Sequence, residues 1–100
     1  MALMHLTIVP LGTGSTSLGD FVADIQETLR KEQFTFQLTD MGTIIEGETA
    51  QLLSLAARLH ELPFLRGAQR VSTHLTLDDR RDKKVSIGDK TASITQRFTD

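Results

Sequence analysis

Four short segments of the chain carry the hydrophobic pattern of β-strands. Leu3 to Val9 is apolar and β-branched, and it stops at Pro10 because proline has no N–H for a strand ladder. Phe34 to Thr39 alternates strictly between apolar and polar residues, and Thr43 to Glu48 follows closely enough to be its hairpin partner. Alternation resumes from Arg70 to Leu77, which is the fourth predicted strand.

Helical periodicity fills the segments between these strands. Ser17, with Asp20 three residues later, is the predicted N-cap of a first helix. Its apolar stripe is Leu18, Phe21, Val22, Ile25 and Leu29. Thr49 is the predicted cap of a second helix, which Pro63 should interrupt. Gly67 fits a turn or helix C-cap. Ser86 is predicted to open a short final helix that carries Ile87, Ile94 and Phe98.

The order β-α-β-β-α-β predicts an α+β fold, the ferredoxin-like sandwich, as a single domain over residues 1–100 with an extra C-terminal helix. Right-handed crossovers place both main helices on one face of a four-stranded antiparallel sheet, with the expected strand order 4-1-3-2. The first and third strands are then central. The other face of the sheet is left without helices.

The composition of the chain excludes several classes of binding partner. The 100 residues include 11 Lys+Arg against 13 Asp+Glu, so no basic surface is available for nucleic acid or an anionic membrane. There is no cysteine, which excludes disulfides and thiolate metal sites and makes the cytoplasm the expected compartment. A chain of this length buries a limited core, so self-association is expected.

The helix-free face of the predicted sheet is polar. Two interpretations stay open at this point: a plain solvated surface, or a sheet-to-sheet dimer that encloses a polar ligand pocket. Carboxylates in such a pocket favour a cation, and hydroxyls orient it. The predicted face comprises His5, Thr7, Thr35, Gln37, Thr39, Ile44, Glu46, Glu48, Arg70, Ser72, His74 and Thr76.

Local motifs give little support to catalysis. The loop from Gly12 to Ser15 could cradle an anion, but it lacks the Lys-Ser/Thr ending of a phosphate loop. No serine lies in a nucleophile elbow. His5 and His74 could meet across adjacent strands with Glu46 as a third metal ligand, although two solvated histidines are the simpler interpretation. No cofactor is expected.

Four segments together resemble one family: PLGTGSTS at residues 10–17, MGTIIEGE at 41–48, RVSTHLTLDDRRDK at 70–83, and the predicted helix between the last two. They are similar to the small thiamine-binding proteins of the UPF0045 or DUF77 group, relatives of the YkoF-type domains. The resemblance extends over essentially the whole chain. It implies a ferredoxin-like fold, dimers or tetramers formed through the sheets, and non-catalytic binding of thiamine (vitamin B1) or its hydroxymethylpyrimidine precursor.

The resemblance also implies ligand contacts. Thr43, Glu46 and Glu48 are the leading candidates, with Thr7, Thr13 and Ser15 next. Glu46 would neutralise or hydrogen bond the heterocycle, and Thr43 and Thr7 would orient it. The position of His5 is usually acidic in the family, so the histidine is expected to shift preference toward the neutral pyrimidine.

Two rival classes remain on the sequence alone. One is a structural or regulatory interaction module whose open sheet is only an oligomer interface. The other is a metal-dependent enzyme that uses His5, His74 and Glu46. The resemblance favours neither of them: it implies a cytoplasmic, homo-oligomeric binding protein, which its ligand should stabilise.

Overall fold

The computed structural model describes residues 1–14 and 18–99 and has the predicted architecture. Its elements are β1 (Ala2–Pro10), α1 (Gly19–Lys31), β2 (Thr35–Thr39), β3 (Gly42–Gly47), α2 (Thr49–Leu65), β4 (Val71–Asp79) and α3 (Asp89–Thr99). The strands form one antiparallel sheet in the order β2-β3-β1-β4, which is the expected order read from the other edge. The ferredoxin-like prediction with an added C-terminal helix is confirmed.

The core lies between one face of the sheet and the helices α1 and α2. Burial alternates along the whole of β1, so that Met4, Leu6 and Ile8 point at the helices while their neighbours in sequence point away. Because side chains in register share a face, the pairing of Met4 with Ile45 and with Leu77 extends this apolar layer across the sheet. The helices contribute a second buried set: Ile25, Leu29, Leu52, Leu55, Ala56 and Leu59.

The ends of all three predicted helices differ from the structure, and the last helix begins at Asp89 instead of opening at Ser86. The first helix begins at Gly19 with Leu18 at its N-cap position and no side-chain cap, and Ser17 lies outside the described residues. The second helix does not end near Leu62 but runs through a buried Pro63 to Leu65, with Glu48 at its N-cap position. Pro63 has no N–H to donate to the carbonyl of Leu59, and the complete burial of its apolar ring in the core offsets that loss.

Gly67 closes α2 as the sequence predicts. The N–H of Gly67 donates to the carbonyl of Phe64, and the N–H of Ala68 donates to the carbonyl of Pro63. This pair of bonds is a Schellman motif, which requires a left-handed residue after the helix, and Gly67 has φ of 97°.

Replacing Gly67 by alanine is expected to lower the free energy of unfolding by about 1 to 2 kcal/mol, the cost of a left-handed non-glycine residue. A Cβ there would meet no atom within 4 Å, so the effect is one of backbone conformation only. Urea denaturation measures it. Gly19→Ala is the matched control, since Gly19 starts α1 with equal space around it and should tolerate alanine without loss.

The third helix departs from the rest of the fold. No Cα atom of α3 lies within 8 Å of a Cα atom in another helix or strand that the structure describes. The helix projects from the sandwich and contributes to a long axis of 50 Å. The radius of gyration of 15.2 Å accordingly exceeds the roughly 13 Å of a compact chain of this length.

Candidate functional site

A cavity of about 360 Å³ lies where the β2–β3 hairpin faces the first half of α1. Pairing between β1 and β3 ends at Leu6 and Thr43, whereas β1 continues to Pro10 along β4. The hairpin and α1 therefore enclose a gap beside the last residues of β1. Most of its lining is apolar: Leu6, Ile8, Val9, Leu18, Val22, Ile25, Leu38 and Met41.

Two polar side chains lie side by side in this apolar lining. Thr43 is 5% exposed, and its Oγ1 accepts a hydrogen bond of 3.0 Å from Nε2 of Gln26. The other amide atom, Oε1 of Gln26, is buried and has no hydrogen-bond partner among the described residues. A buried unpaired acceptor costs about 1 to 3 kcal/mol. Gln26 and Thr43 both line the cavity, so a buried acceptor without a partner and a hydroxyl that can also donate lie at its otherwise apolar wall.

Strand register explains the position of Thr43. It pairs with Leu6 on one side and with Leu38 on the other, so it shares the helix-facing side of the sheet with them. The sequence-based hypothesis placed Thr43 in one pocket with Glu46 and Thr7. The structure does not bring Thr43 and Glu46 together within one chain, because the strand register places their side chains on opposite faces of β3.

Gln26 was not among the candidate residues of the sequence analysis, although the sequence does contain an indication of its role. It follows Val22 by four residues and precedes Leu29 by three, so it occupies a core-facing position of α1. A polar residue at such a position must find a partner, which Thr43 supplies for one of its two amide atoms.

Glu46 lies on the open face, as predicted, and contacts the C-terminal segment. Its Oε1 accepts a hydrogen bond of 2.9 Å from the backbone N–H of Ile87. The neighbouring residues Val85, Ser86 and Ile87 are half-buried. The carboxylate therefore attaches the chain that leads into α3 to the sheet.

His5 and Thr7 also lie on the open face, where they cover Gly42. A Cβ at Gly42 would come within 2.6 Å of Nε2 of His5 and 2.8 Å of Cγ2 of Thr7. Only glycine leaves room for both side chains at this position. The glycine of the MGT segment is thus explained by close packing, and Thr7 also borders the cavity beside Thr43.

The other predicted contacts are dispersed. Glu48 is exposed and lies one residue beyond the end of β3, at the N-cap position of α2. Thr13 borders a separate cavity of about 750 Å³ between the β1–α1 loop and the turn after α2, opposite Arg66 and Arg70. Ser15 lies outside the described residues.

The described part of the chain contains neither a cluster of metal ligands nor a helix that could span a membrane. Within residues 1–14 and 18–99, no group of three or more His, Asp or Glu side chains could hold a metal ion. In the same residues, no helix has the length and apolar character needed to cross a membrane.

An ion pair holds α1, and with it Gln26, against the end of α2. Arg66 donates hydrogen bonds to both carboxylate oxygens of Asp24, one of them 3.0 Å from Nη2 to Oδ1. These bonds, helped by the charge of the guanidinium, hold the pKa of Asp24 below its ordinary value near 3.8 despite partial desolvation.

Asp24→Asn is therefore expected to destabilise the protein at neutral pH, by a small amount because both partners are partly exposed. A lowered pKa in the folded state stabilises the protein above the unfolded value, and this contribution is lost as the pH falls through the folded pKa. The difference in unfolding free energy between wild type and variant should thus be present at pH 7 and shrink below about pH 4. Urea titrations at pH 7 and pH 3 measure it; an equal difference at both would contradict the assignment.

Comparison with known proteins agrees with the fold and with the sequence resemblance. The UPF0045 protein YqgV of Bacillus subtilis is 41% identical over 102 residues, covering 98% of both chains. A UPF0045 protein of Methanothermobacter thermautotrophicus is 38% identical over 98% of this chain and 100% of its own. Among solved structures, a hypothetical protein of Methanocaldococcus jannaschii superposes with a TM-score of 0.82 at 28% identity, covering 95% of this chain and 96% of that one.

A more distant structure has a name that mentions thiamine. A Thermotoga maritima protein proposed to act in thiamine biosynthesis or salvage has the same fold, with a TM-score of 0.75 at 17% identity over 93% of this chain and 97% of its own. The sequence profile described as thiamine-binding protein matches residues 4–95. The chain therefore belongs to the thiamine-binding protein family that includes the UPF0045 proteins.

Proposed function

We propose that the protein binds thiamine or its hydroxymethylpyrimidine precursor, without catalysis, and that the cavity beside Thr43 holds the pyrimidine ring. Membership in the family supports the ligand class. The volume of about 360 Å³ lies within the range of small-molecule sites. The apolar walls suit the flat faces and the methyl group of the pyrimidine.

The unpaired Oε1 of Gln26 is the observation that carries this proposal. The aminopyrimidine has an exocyclic amine, which donates, next to a ring nitrogen, which accepts. Gln26 Oε1 can accept from the amine while the Thr43 hydroxyl donates to the ring nitrogen. The two protein groups adjoin one another, as this edge of the ligand requires.

The cavity supports binding more than chemistry. Among the described residues of the lining, Asp40 alone is titratable, and it is exposed in the hairpin turn. It is placed to attract the positive thiazolium ring of thiamine at the cavity mouth. The hydroxyl of Thr43 is hydrogen bonded to the amide of Gln26, which is not a base and would not activate it.

The open face is the second candidate location, because His5, Thr7 and Glu46 share it as the sequence predicts. In that proposal a second copy covers the face and the ligand lies near Glu46, with Glu48 as an outer contact. We further propose a cytoplasmic homo-oligomer, a dimer or tetramer. An interaction module without a ligand is the alternative function.

Ligand-dependent melting tests the function. Thiamine, thiamine phosphates and hydroxymethylpyrimidine are added separately to the purified protein. Ligand at about ten times its dissociation constant should stabilise the native state by about 1.4 kcal/mol and raise the melting temperature by several degrees. Isothermal titration should give one site per chain. If no compound of the series shifts the melting temperature or gives a binding isotherm, the alternative of a ligand-free interaction module is favoured.

A further inference from the structure

The cavity beside Thr43 has a buried polar end and an exposed apolar end. Thr43 and Gln26 form the buried end, where the Oε1 atom of Gln26 has no partner among the described residues. Leu38 and Met41 line the cavity at the β2–β3 turn, and they are 52% and 80% exposed. A ligand whose polar edge enters first would therefore leave its other end at this turn, which we call the mouth of the cavity.

The mouth carries one negative charge. Asp40 lies in the turn between Leu38 and Met41, and its side chain is exposed. Among the described residues of the lining there is no lysine or arginine that could neutralise this carboxylate or pair with an anion. The charge at the mouth therefore favours cations and opposes anions.

Hydrogen bonds within the turn use donors that an anion would need. The hydroxyl of Thr39 donates to the carbonyl of Gly42 at 2.9 Å, and it accepts from the N–H of Met41 at 3.3 Å. Phosphate sites are built from free N–H groups and cationic side chains. At this turn one hydroxyl and one N–H are already engaged, and the charged side chain has the wrong sign for phosphate.

The position of Asp40 matches the outer end of a two-ring ligand. Asp40 is three residues from Thr43 along the hairpin, at most about 10 Å at roughly 3.3 Å per residue. In thiamine, the methylene bridge and the thiazolium ring extend the molecule by a comparable distance from the aminopyrimidine. With the pyrimidine beside Thr43, the thiazolium ring would lie on Leu38 and Met41. The hydroxyethyl group, which carries the phosphates in the thiamine phosphates, would then lie beside Asp40.

The two electrostatic effects of Asp40 act in the same direction on this choice of ligand. One pair of unit charges about 4 Å apart in water changes an affinity by about fivefold. The carboxylate attracts the single positive charge of the thiazolium ring. A phosphate ester adds a charge of about −1.5 to −2 at pH 7, which the same carboxylate repels. Repulsion of a competing ligand is an effective source of specificity.

We infer that Asp40 is a specificity-determining residue, which makes the protein select thiamine over its phosphate esters. This inference rests on the proposed function and goes beyond it, because the pyrimidine ring is identical in all of these compounds and contacts at Thr43 cannot distinguish them. Hydroxymethylpyrimidine lacks both the thiazolium ring and the phosphates. Its affinity should therefore not depend on Asp40.

Isothermal titration of the Asp40→Asn variant tests the inference. Wild type should bind thiamine at least about tenfold more tightly than thiamine diphosphate, and the variant should lower this ratio by about tenfold. Asp40 does not have a positive φ, so asparagine fits the turn. Hydroxymethylpyrimidine should bind the variant within about twofold of wild type, which shows that the cavity is intact. Glu61→Gln is the matched control, because it removes one exposed carboxylate from α2, outside the lining, and should leave the ratio unchanged.

The outcomes separate this inference from the proposed function. If wild type binds thiamine and its diphosphate equally well, or if Asp40→Asn keeps the wild-type ratio, the inference fails while the function stands. If none of the compounds binds, the proposed function fails and the inference fails with it. The titrations are run with EDTA and again with magnesium, because Mg²⁺ can bridge a carboxylate and a diphosphate. Tighter binding of the diphosphate than of thiamine in magnesium would overturn the inference.

Discussion

Replacing Gln26 by methionine is expected to weaken hydroxymethylpyrimidine binding by about tenfold to a hundredfold. Methionine has a similar volume and keeps the cavity apolar, but it removes Oε1 of Gln26, the buried acceptor that has no partner among the described residues. The exocyclic amine of the ligand would then enter the cavity without a hydrogen bond. The loss corresponds to the cost of leaving one buried polar group unsatisfied, and isothermal titration measures it.

The stability of the free protein should change little. Without ligand, the methionine variant loses the unsatisfied buried oxygen of Gln26 but also the hydrogen bond from its Nε2 to Thr43, so the two effects offset one another and the melting temperature should stay close to that of wild type. Weaker binding at nearly unchanged stability is the pattern of a residue kept for its ligand. A large loss of stability with unchanged binding would instead show that the bond to Thr43 is the whole role of Gln26.

Glu46→Gln separates the two candidate locations. Glu46 is on the opposite face of β3 from the cavity, so this variant should bind the ligand as wild type does if the cavity is the site. If the ligand instead lies on the open face, Glu46→Gln should abolish binding and Gln26→Met should preserve it. The pair therefore locates the ligand whatever the oligomeric state.

The strands could be predicted because their burial follows local periodicity. In β2, Phe36 and Leu38 alternate with polar residues, and the apolar residues between Val71 and Leu77 do the same in β4. This alternation decides which side chains face the helices. The connections between strands then limit the topology to one common arrangement. Fold class and strand order thus followed from the sequence. The end of the second helix did not, because the burial of Pro63 in the core, which offsets its missing helical hydrogen bond, is not visible in any local pattern.

The candidate site was harder to predict, since it depends on where one strand pairing stops. The segment TIIEGE places Thr43 and Glu46 close in sequence, but an odd separation along a strand puts two side chains on opposite faces. Gln26 reaches Thr43 from α1, 17 residues away in sequence. The attachment of Ile87 to Glu46 spans 41 residues. No local pattern contains contacts of this kind, so they had to come from the structure.

Leu52→Ala is expected to have the largest effect on stability, a loss of about 2 to 5 kcal/mol. Leu52 is completely buried on α2, and its side chain packs over Gly47 at the end of β3, where a Cβ on the glycine would come within 3.3 Å of Cδ2 of the leucine. Truncation leaves a cavity at the contact that joins the helix layer to the central strands. For a chain of this size the melting temperature should fall by more than roughly 8 °C.

The matched control for this prediction is Leu65→Ala, which removes the same atoms from the same helix. Leu65 is 82% exposed, so its truncation should cost less than about 0.5 kcal/mol. The contrast follows from burial, since the chemical change is identical. Equal losses for Leu52 and Leu65 in urea denaturation would contradict the placement of the α2 stripe against the sheet. Because the face of α1 that carries Gln26 packs against the same sheet, such a result would also remove the structural basis for the cavity beside Thr43.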